Sequence, residues 1–146
     1  VLKPMFPKAE IPVVQLSMVY SRSPAEHYLL GQQLRELRER GVLIVGSGNI
    51  VHNLRAIRFD ARPGQAYDWA IEFDKVVGEQ IRKGDLGALP AFQRLGPVAL
   101  QAHPTYDHYL PLLYAAGAVD PARDAPRFFN EDFQAASISM RSVIWS

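Results

Sequence analysis

Short hydrophobic runs and helical repeats alternate with polar turns along the first third of the chain. Residues 11–18, IPVVQLSM, and residues 42–45, VLIV, are dense in β-branched and aliphatic side chains, which is typical of strands. The second run has no polar break, as in a strand that is buried on both faces. Between the two runs, Leu30, Leu34 and Leu37 recur at helical spacing. The pattern therefore predicts a strand, a helix and a second strand.

The predicted helix has clear start and stop signals. Ser23 is suited to the N-cap, Pro24 to the first helical position and Glu26 to closing a capping box, and Gly41 supplies a stop. A strand, a helix and a strand with short joints form a βαβ unit with parallel strands. We therefore predict an α/β fold with a central sheet that contains this parallel βαβ unit and is flanked by helices.

The second part of the chain is predicted to be mostly helical and to close with a strand. The predicted elements are a helix over 68–83, one or two short helices over 86–100, a helix from about 107 to 116, and a last strand within 136–145. Pro111 is compatible with the third of these because proline is tolerated in the first turn of a helix.

Composition bounds the class of protein. A length of 146 residues suits one domain and is short for two. A net charge of +1 gives no broad field for nucleic acid or an anionic membrane, and no apolar run approaches the ~20 residues that span a bilayer. The absence of cysteine excludes disulfides and thiolate metal sites, and it fits a reducing cytoplasm, where we expect the protein. The first ten residues do not have the pattern of a signal peptide.

Three of the four histidines have plausible structural roles. His27 lies inside the first predicted helix, where we expect a partly buried side chain with a local hydrogen bond. His103 precedes a proline in a loop and is expected at the surface. His108 lies near a predicted helix start, where a capping role is one alternative. Because a helix N-terminus disfavours a protonated imidazole, His108 is also suited to binding a metal.

His52 has the strongest placement for chemistry. It follows Gly46-Ser47-Gly48-Asn49 at the carboxyl end of a predicted strand, where α/β sheets bind ligands. The spacing matches neither a phosphate-binding loop nor the nucleophile elbow of a hydrolase. We interpret His52 as a catalytic acid/base, with His108 binding a metal beside it. A catalytic metal takes three protein ligands, and the pattern supplies no third ligand for a zinc hydrolase.

Three stretches carry a resemblance to a known family. GSGNIVHNLR (46–55), HPTYDHYLPLLYAAGA (103–118) and SISMRSVIW (137–145) resemble the C-terminal half of the class III extradiol ring-cleavage dioxygenases, and most of all the DOPA 4,5-dioxygenase branch. The stretches 9–17 and 23–41 fit the same branch in order and spacing. The resemblance implies that residues 1–146 are a partial catalytic domain, the C-terminal portion of a larger single-domain dioxygenase fold.

The resemblance also implies a chemistry. Family members open catecholic rings with O2 at a non-haem Fe(II), which is held by two histidines of the N-terminal half and one ligand of the C-terminal half. Here that last ligand resembles His108, and His52 is similar to the acid/base, close enough to ligate zinc when zinc replaces iron. Candidates for the substrate pocket are Ser47, Asn49, Asn53 and Tyr106.

The N-terminal motifs of the family are absent from the sequence. A His-Gly-Ser-Pro segment and a Ser-Ala-His-Trp segment would carry the other ligands, and the chain has neither. We therefore expect the N-terminal half of the same enzyme, or a homo-oligomer, as partner, with a small catechol and O2 as substrates and with no nucleic acid or membrane. The alternative is a non-catalytic, truncated relative that serves as a binding or interaction module. In either case half a sheet would leave an apolar face uncovered.

Overall fold

The computed structural model describes residues 2–146 as a mixed helix and strand fold with two small sheets. The α-helices are α1 (Leu2–Met5), α2 (Pro24–Arg38), α3 (Asp68–Arg82), α4 (Pro97–Ala102) and α5 (Leu110–Gly117), and 3-10 helices span Leu54–Ala56 and Leu86–Leu95. The strands are β1 (Pro126–Phe129), β2 (Phe133–Gln134), β3 (Ile138–Ser139) and β4 (Ser142–Trp145). No helix within residues 2–146 is both long enough and apolar enough to cross a lipid bilayer.

The predicted start of α2 is confirmed in atomic detail. The backbone N–H of Glu26 donates to Ser23 Oγ at 3.3 Å, and the Ser23 N–H donates to the Glu26 carboxylate at 2.8 Å. Two N–H groups that no helical carbonyl can reach are thereby satisfied. The capping box therefore fixes where α2 begins.

The core lies between α3, the 3-10 helix Leu86–Leu95 and α5. Phe73, Val77 and Ile81 recur every four residues along one face of α3 and are fully buried. Leu110 and Leu113 of α5 are buried in the same cluster. Each such side chain contributes about 1.5–3 kcal/mol by leaving water, so this cluster is the main source of stability.

Helices α2 and α5 touch through glycines. A Cβ on Gly31 would lie 2.5 Å from the carbonyl oxygen of Tyr114, and a Cβ on Gly117 would collide with the carbonyl oxygen of Tyr28. The two backbones can approach this closely only because neither glycine has a side chain.

The predicted parallel sheet is absent from the described residues. Residues 11–18 and 42–45 form no strand, because no neighbouring strand within residues 2–146 lies where it could accept or donate ladder hydrogen bonds. The sheets that do form are antiparallel: β1 pairs with β4, and β2 pairs with β3. The last predicted strand, within 136–145, is therefore present as β3 and β4.

Helix α5 starts later than predicted, at Leu110 rather than near Asp107. Pro111 lies in its first turn, as expected. His108 consequently lies in the turn that precedes the helix, where the N–H groups of Tyr109 and Leu110 both donate to the Tyr106 carbonyl.

Candidate functional site

The rings of His52 and His108 lie face to face. Their centroids are 3.6 Å apart and their planes differ by 13°. The sequence predicts that these two residues share a site, and the structure brings them together from separate turns.

The turn that carries His108 packs directly on the loop that carries His52. The backbone N–H of Asn49 donates to the His108 carbonyl at 2.9 Å. A Cβ on Gly48 would collide with that same carbonyl. Glycine is therefore required for the approach of the two chain segments that bring the histidines together.

Backbone hydrogen bonds on both sides hold the His52 loop. The N–H of His52 donates to the Ala102 carbonyl at 3.0 Å. The N–H of Ser139 donates to the Val51 carbonyl at 3.0 Å, and an antiparallel bridge joins His52 to Ile138. The imidazole therefore projects from a backbone that neighbouring segments fix.

The side chains of Asn49 and Asn53 serve the same loop. Asn49 Nδ2 donates to the Ser139 carbonyl at 3.0 Å, and Asn53 Nδ2 donates to the Gln101 carbonyl at 2.7 Å. Asn53 Oδ1 also accepts from the Arg55 N–H at 3.0 Å. Both asparagines thus use their amides to shape the loop, and their role as pocket residues stays a prediction.

Beneath this loop, His103 is buried rather than at the surface, so the surface expectation is wrong. Its side chain is 3% exposed and packs edge-on against Phe73 and Tyr109. Its Nε2 lies 2.6 Å from the Ile50 carbonyl oxygen. Because a carbonyl only accepts, Nε2 carries the hydrogen. Burial lowers the pKa of His103 to about 4, so the ring is neutral at physiological pH.

The structure also contains a buried ion pair at β3 that the sequence analysis does not predict. Asp74 of α3 accepts hydrogen bonds from Ser139 Oγ at 2.6 Å and from the Arg141 guanidinium at 2.7 and 2.9 Å. The signal is present in the pattern, because Asp74 lies on the buried face of α3 beside Phe73. A carboxylate on an apolar helix face implies a buried partner.

The electrostatics of the site favour a neutral His52. Burial lowers its pKa, and a positive charge on nearby His108 would lower it further, whereas Asp107 opposes both effects. The Asp107 carboxylate lies 3.5 Å from His108 Nε2, and a hydrogen bond from Thr105 lowers the pKa of that carboxyl group. A neutral imidazole can accept a proton near neutral pH, so the arrangement suits acid/base chemistry at His52.

An aromatic pair lies at the turn that leads to His108. Tyr20 stacks on Tyr106 with ring centroids 5.4 Å apart and planes that differ by 13°, and Tyr106 lies two residues before His108 in the chain. Ser47 is exposed on the loop that leads to His52. The stacking fixes the orientation of the Tyr106 ring, and the role of Tyr106 and Ser47 as pocket residues stays a prediction.

The histidines supply only part of a metal centre. His108 has a half-exposed side chain that fits a metal ligand. Within residues 2–146, however, no three His, Asp or Glu side chains gather closely enough to hold an ion. The donor set therefore fits one or two positions of a histidine-bound metal.

His27 plays a structural role, but its hydrogen bond is not local. The ring is fully buried in α2, and its Nδ1 lies 2.9 Å from Tyr114 Oη on α5. Burial lowers the pKa of His27. The pair therefore joins the two helices that cross at Gly31 and Gly117.

Comparison with known proteins gives one consistent family. The family described as the catalytic LigB subunit of aromatic ring-opening dioxygenase matches residues 2–143. The chain is 38% identical to a 4,5-DOPA dioxygenase extradiol of Escherichia coli K12 over 98% of its own length, and 36% identical to one of Mirabilis jalapa over 78%. A crystal structure of an uncharacterized protein from Escherichia coli K12 superposes with a TM-score of 0.87 at 35% identity.

The matched relatives are much longer than this chain. The match covers 53% of the Escherichia coli dioxygenase and 42% of the Mirabilis jalapa enzyme. The superposition covers 58% of the solved Escherichia coli chain and 97% of this chain. The chain thus spans about half the length of the curated relatives that it matches.

Proposed function

The chain belongs to the LigB family of aromatic ring-opening dioxygenases, and from that membership we propose that it is the C-terminal part of a non-haem Fe(II) extradiol dioxygenase that opens the ring of a catechol with O2. The observation that carries the proposal is the face-to-face pair of His52 and His108 at 3.6 Å. These histidines lie in residues 46–55 and 103–118, which are two of the three stretches that carry the family resemblance.

His108 is proposed as one protein ligand of the metal. Its ring is half exposed and projects from a turn that is fixed by hydrogen bonds. When bound, Fe(II) would supply open positions for the catechol oxygens and O2. Zn(II) is a further candidate in purified protein because imidazole binds both metals, and His52 is near enough to His108 to join a zinc site.

His52 is proposed as the acid/base. Its lowered pKa leaves the ring neutral at neutral pH, so it can accept a proton from a catechol hydroxyl. The hydrogen bond from its backbone N–H to the Ala102 carbonyl holds the backbone that carries the ring. The protonated ring can then return the proton to the opening product.

The substrate pocket is proposed to include Ser47, Asn49, Asn53 and Tyr106. Tyr106 is included because it lies two residues before His108 and because stacking on Tyr20 fixes the orientation of its ring. Ser47 offers an exposed hydroxyl, whereas the asparagines act mainly by shaping the loop.

We also propose that the remaining metal ligands come from the N-terminal half of the same enzyme, because no three His, Asp or Glu side chains within residues 2–146 gather closely enough to hold an ion. The family's relatives extend well beyond the length matched here. The cytoplasm is the proposed location, on the ground that the chain has no cysteine.

The test is ring cleavage by the completed enzyme. The part of the Escherichia coli dioxygenase that this chain does not match is joined to it, Fe(II) is added, and a panel of catechols that includes DOPA is followed by the absorbance of the yellow semialdehyde. His108→Ala should abolish both turnover and iron binding. His52→Gln should retain iron and slow turnover by about 10²–10⁴-fold, because it removes the proton acceptor.

Leu100→Ala is the matched control, since this side chain is 72% exposed on α4. It should leave turnover unchanged. Iron-loaded enzyme that leaves every catechol intact in air would refute the proposal, and full activity of His52→Gln would refute the role of His52.

The rate of that enzyme should also depend on pH in a definite direction. Because the pKa of His52 lies below its ordinary value, the midpoint of the decline in kcat/KM on acidification should lie below about pH 6.5, the ordinary pKa of histidine, as the base becomes protonated. The acid limb of the pH profile measures this. A decline that sets in well above pH 7 would contradict a depressed pKa at the base.

A further inference from the structure

A short segment near the C-terminus, residues 137–139, supports the backbone around His52, and we call it the support segment. The Asn53 N–H donates to the Ser137 carbonyl at 3.2 Å, and Ser137 Oγ donates back to the Asn53 carbonyl at 2.8 Å. These two hydrogen bonds fix the backbone just after His52. They come from a part of the chain more than 80 residues away in sequence.

Ser139 supports the backbone just before His52. Its N–H donates to the Val51 carbonyl at 3.0 Å, and its own carbonyl accepts from Asn49 Nδ2 at 3.0 Å. The support segment therefore contacts the chain on both sides of the histidine. Any displacement of Ser139 would be passed directly to the residue that precedes His52.

Ser139 is in turn anchored to the core by a carboxylate of α3. Its Oγ donates to Asp74 Oδ1 at 2.6 Å, the short distance expected when a hydroxyl donates to a charged oxygen. The bond is shielded from water, because Asp74 is 3% exposed and Ser139 is 1% exposed. A chain of hydrogen bonds thus runs from α3 through Ser139 to the His52 backbone.

The Arg141 guanidinium fixes the direction of the Asp74 carboxylate. Its Nε and Nη2 donate to Asp74 Oδ2 at 2.9 and 2.7 Å, and the Arg141 side chain is only 12% exposed. A buried ion pair adds little net stability, because the cost of removing two charges from water offsets their attraction. Its two parallel hydrogen bonds do, however, fix geometry. The pair is therefore better suited to holding Ser139 in position than to stabilising the fold.

We propose that Asp74 is a positioning residue for His52 and that it acts through the hydroxyl of Ser139. The inference rests on the proposed function for the acid/base role of His52. Its physical basis is the hydrogen-bonded route from Asp74 to Ser139 and on to Val51. A displacement of about 1 Å in a catalytic group can lower a rate by about 100-fold, so a carboxylate that acts at one remove can control the rate.

Substitutions at Asp74 and Ser139 test the route by kinetics. The enzyme is this chain joined to the unmatched part of the Escherichia coli dioxygenase and loaded with Fe(II), and kcat is measured per bound iron. Asp74→Ala and Ser139→Ala should each lower kcat by about 10–100-fold, and by more than they raise KM. Asp74→Asn should retain most of the wild-type kcat, because its side-chain oxygen still accepts from the Ser139 hydroxyl even though the pair with Arg141 is weakened.

The double variant Asp74→Ala, Ser139→Ala shows whether the two residues act along one route. Its kcat should be no lower than that of the slower single variant, because either substitution already interrupts the same hydrogen bond. Two losses that multiply would show separate routes and would overturn the role of Ser139.

Val77→Ala is the matched control for a purely structural effect. Val77 lies on the same buried face of α3 and is fully buried, but its side chain makes no hydrogen bond. The substitution should lower the thermal midpoint, as the loss of core contacts does. It should change kcat by less than about twofold at a temperature where circular dichroism shows the protein folded. A loss of kcat equal to that of Asp74→Ala would overturn the proposal.

Hydrogen exchange tests the support without iron or catechol. The amide of residue 139, which donates to the Val51 carbonyl, is compared with the amide of Ala116 in α5 of the same molecule. Relative to Ala116, exchange at residue 139 should become about tenfold faster or more in Asp74→Ala and in Ser139→Ala. In Val77→Ala the ratio should stay within about twofold of the wild-type value.

An unchanged exchange ratio in both alanine variants overturns the proposal, and so does a wild-type kcat in both. If Asp74→Ala does not fold, Ser139→Ala decides the question, because it leaves the ion pair with Arg141 in place. Faster exchange in the variants of an enzyme that cleaves no catechol would sustain the support of the His52 backbone and refute the proposed function. The two failures are therefore distinguishable.

Discussion

A single carbonyl oxygen, that of Ile50, connects the buried ring of His103 to the loop that presents His52. The ring is buried among apolar side chains, so its protonation would place a charge in an apolar environment. His103 therefore contributes a definite pH dependence to stability.

The pKa of His103 is about 4 in the folded chain and about 6.5 when unfolded. The unfolded state binds the proton more readily, so stability is fully present above pH 6.5 and falls as the pH drops towards 4. We expect a loss of about 3 kcal/mol in the free energy of unfolding, measured by urea denaturation at pH 7.5, 6, 5 and 4. His27 and His52, whose pKa values are also lowered, add to it with the same sign.

The control is His103→Gln, which keeps a donor for Ile50 O but does not titrate. Its stability should be lower at pH 7.5, because the ring contacts with Phe73 are lost, and should fall less steeply on acidification. An identical pH slope in the two proteins would contradict the assignment to His103.

The sequence predicts the pairing of the two candidate site histidines better than the burial of the other two. His52 and His108 are identified because turns and family motifs mark their positions. His103 looks like a loop residue because proline follows it, and only the packing of Phe73 and Tyr109 around the ring reveals its burial. Burial of a side chain outside a periodic element depends on distant segments, which local pattern does not report.

Among the elements, the crossing of α2 and α5 is the most sensitive to side-chain size. The backbones meet at Gly31 and Gly117, and the carbonyl of Gly117 also accepts from the Arg35 guanidinium at 3.2 Å. Arg38 of the same helix pairs with Asp124. The charged face of α2 is thus partly a contact surface within the protein.

Gly117→Ala should push α5 away from α2 and cost about 1–3 kcal/mol in the free energy of unfolding, as overpacking does. Gly31→Ala should do the same. Gly87→Ala is the control, because its Cβ would meet nothing within 4 Å, and its effect should be neutral or slightly stabilising. Equal effects at Gly87 and Gly117, measured by urea denaturation, would contradict a close crossing.

Elements with local signals were predicted well, and those that need distant partners were not. The cap of α2 and the length of α3 follow from residues within a few positions of each other. The predicted strands at 11–18 and 42–45 require neighbours that residues 2–146 do not supply. The hydrophobic pattern indicates that a segment suits a strand with neighbours on both sides, but it does not report whether the chain provides those neighbours.

As a whole molecule, the isolated chain combines a well-packed core with uncovered apolar surface. The core around α3 and α5 is complete, whereas Val14 and Leu43 face solvent. Large exposed apolar patches promote association.

We therefore expect the chain alone to self-associate as its concentration rises, measured by size-exclusion chromatography with light scattering. The double variant Val14→Lys, Leu43→Lys should reduce the average mass towards that of a monomer. Phe59→Lys is the control, since Phe59 is 94% exposed but lies outside residues 11–18 and 42–45. A monodisperse wild-type monomer at high concentration would contradict this expectation.

The hydrogen bonds around His52 have a consequence for the order of folding. Asn49 bonds to Ser139 and Asn53 to Gln101, across sequence separations of 90 and 48 residues. Closing such long loops costs entropy before it yields contacts, and non-local pairings form slowly. During synthesis, the loop of His52 leaves the ribosome before residues 101 and 139, whose carbonyl groups accept these hydrogen bonds, have been made. The helices need only local contacts, but the backbone that carries His52 acquires these hydrogen bonds only after residues 101 and 139 have been made.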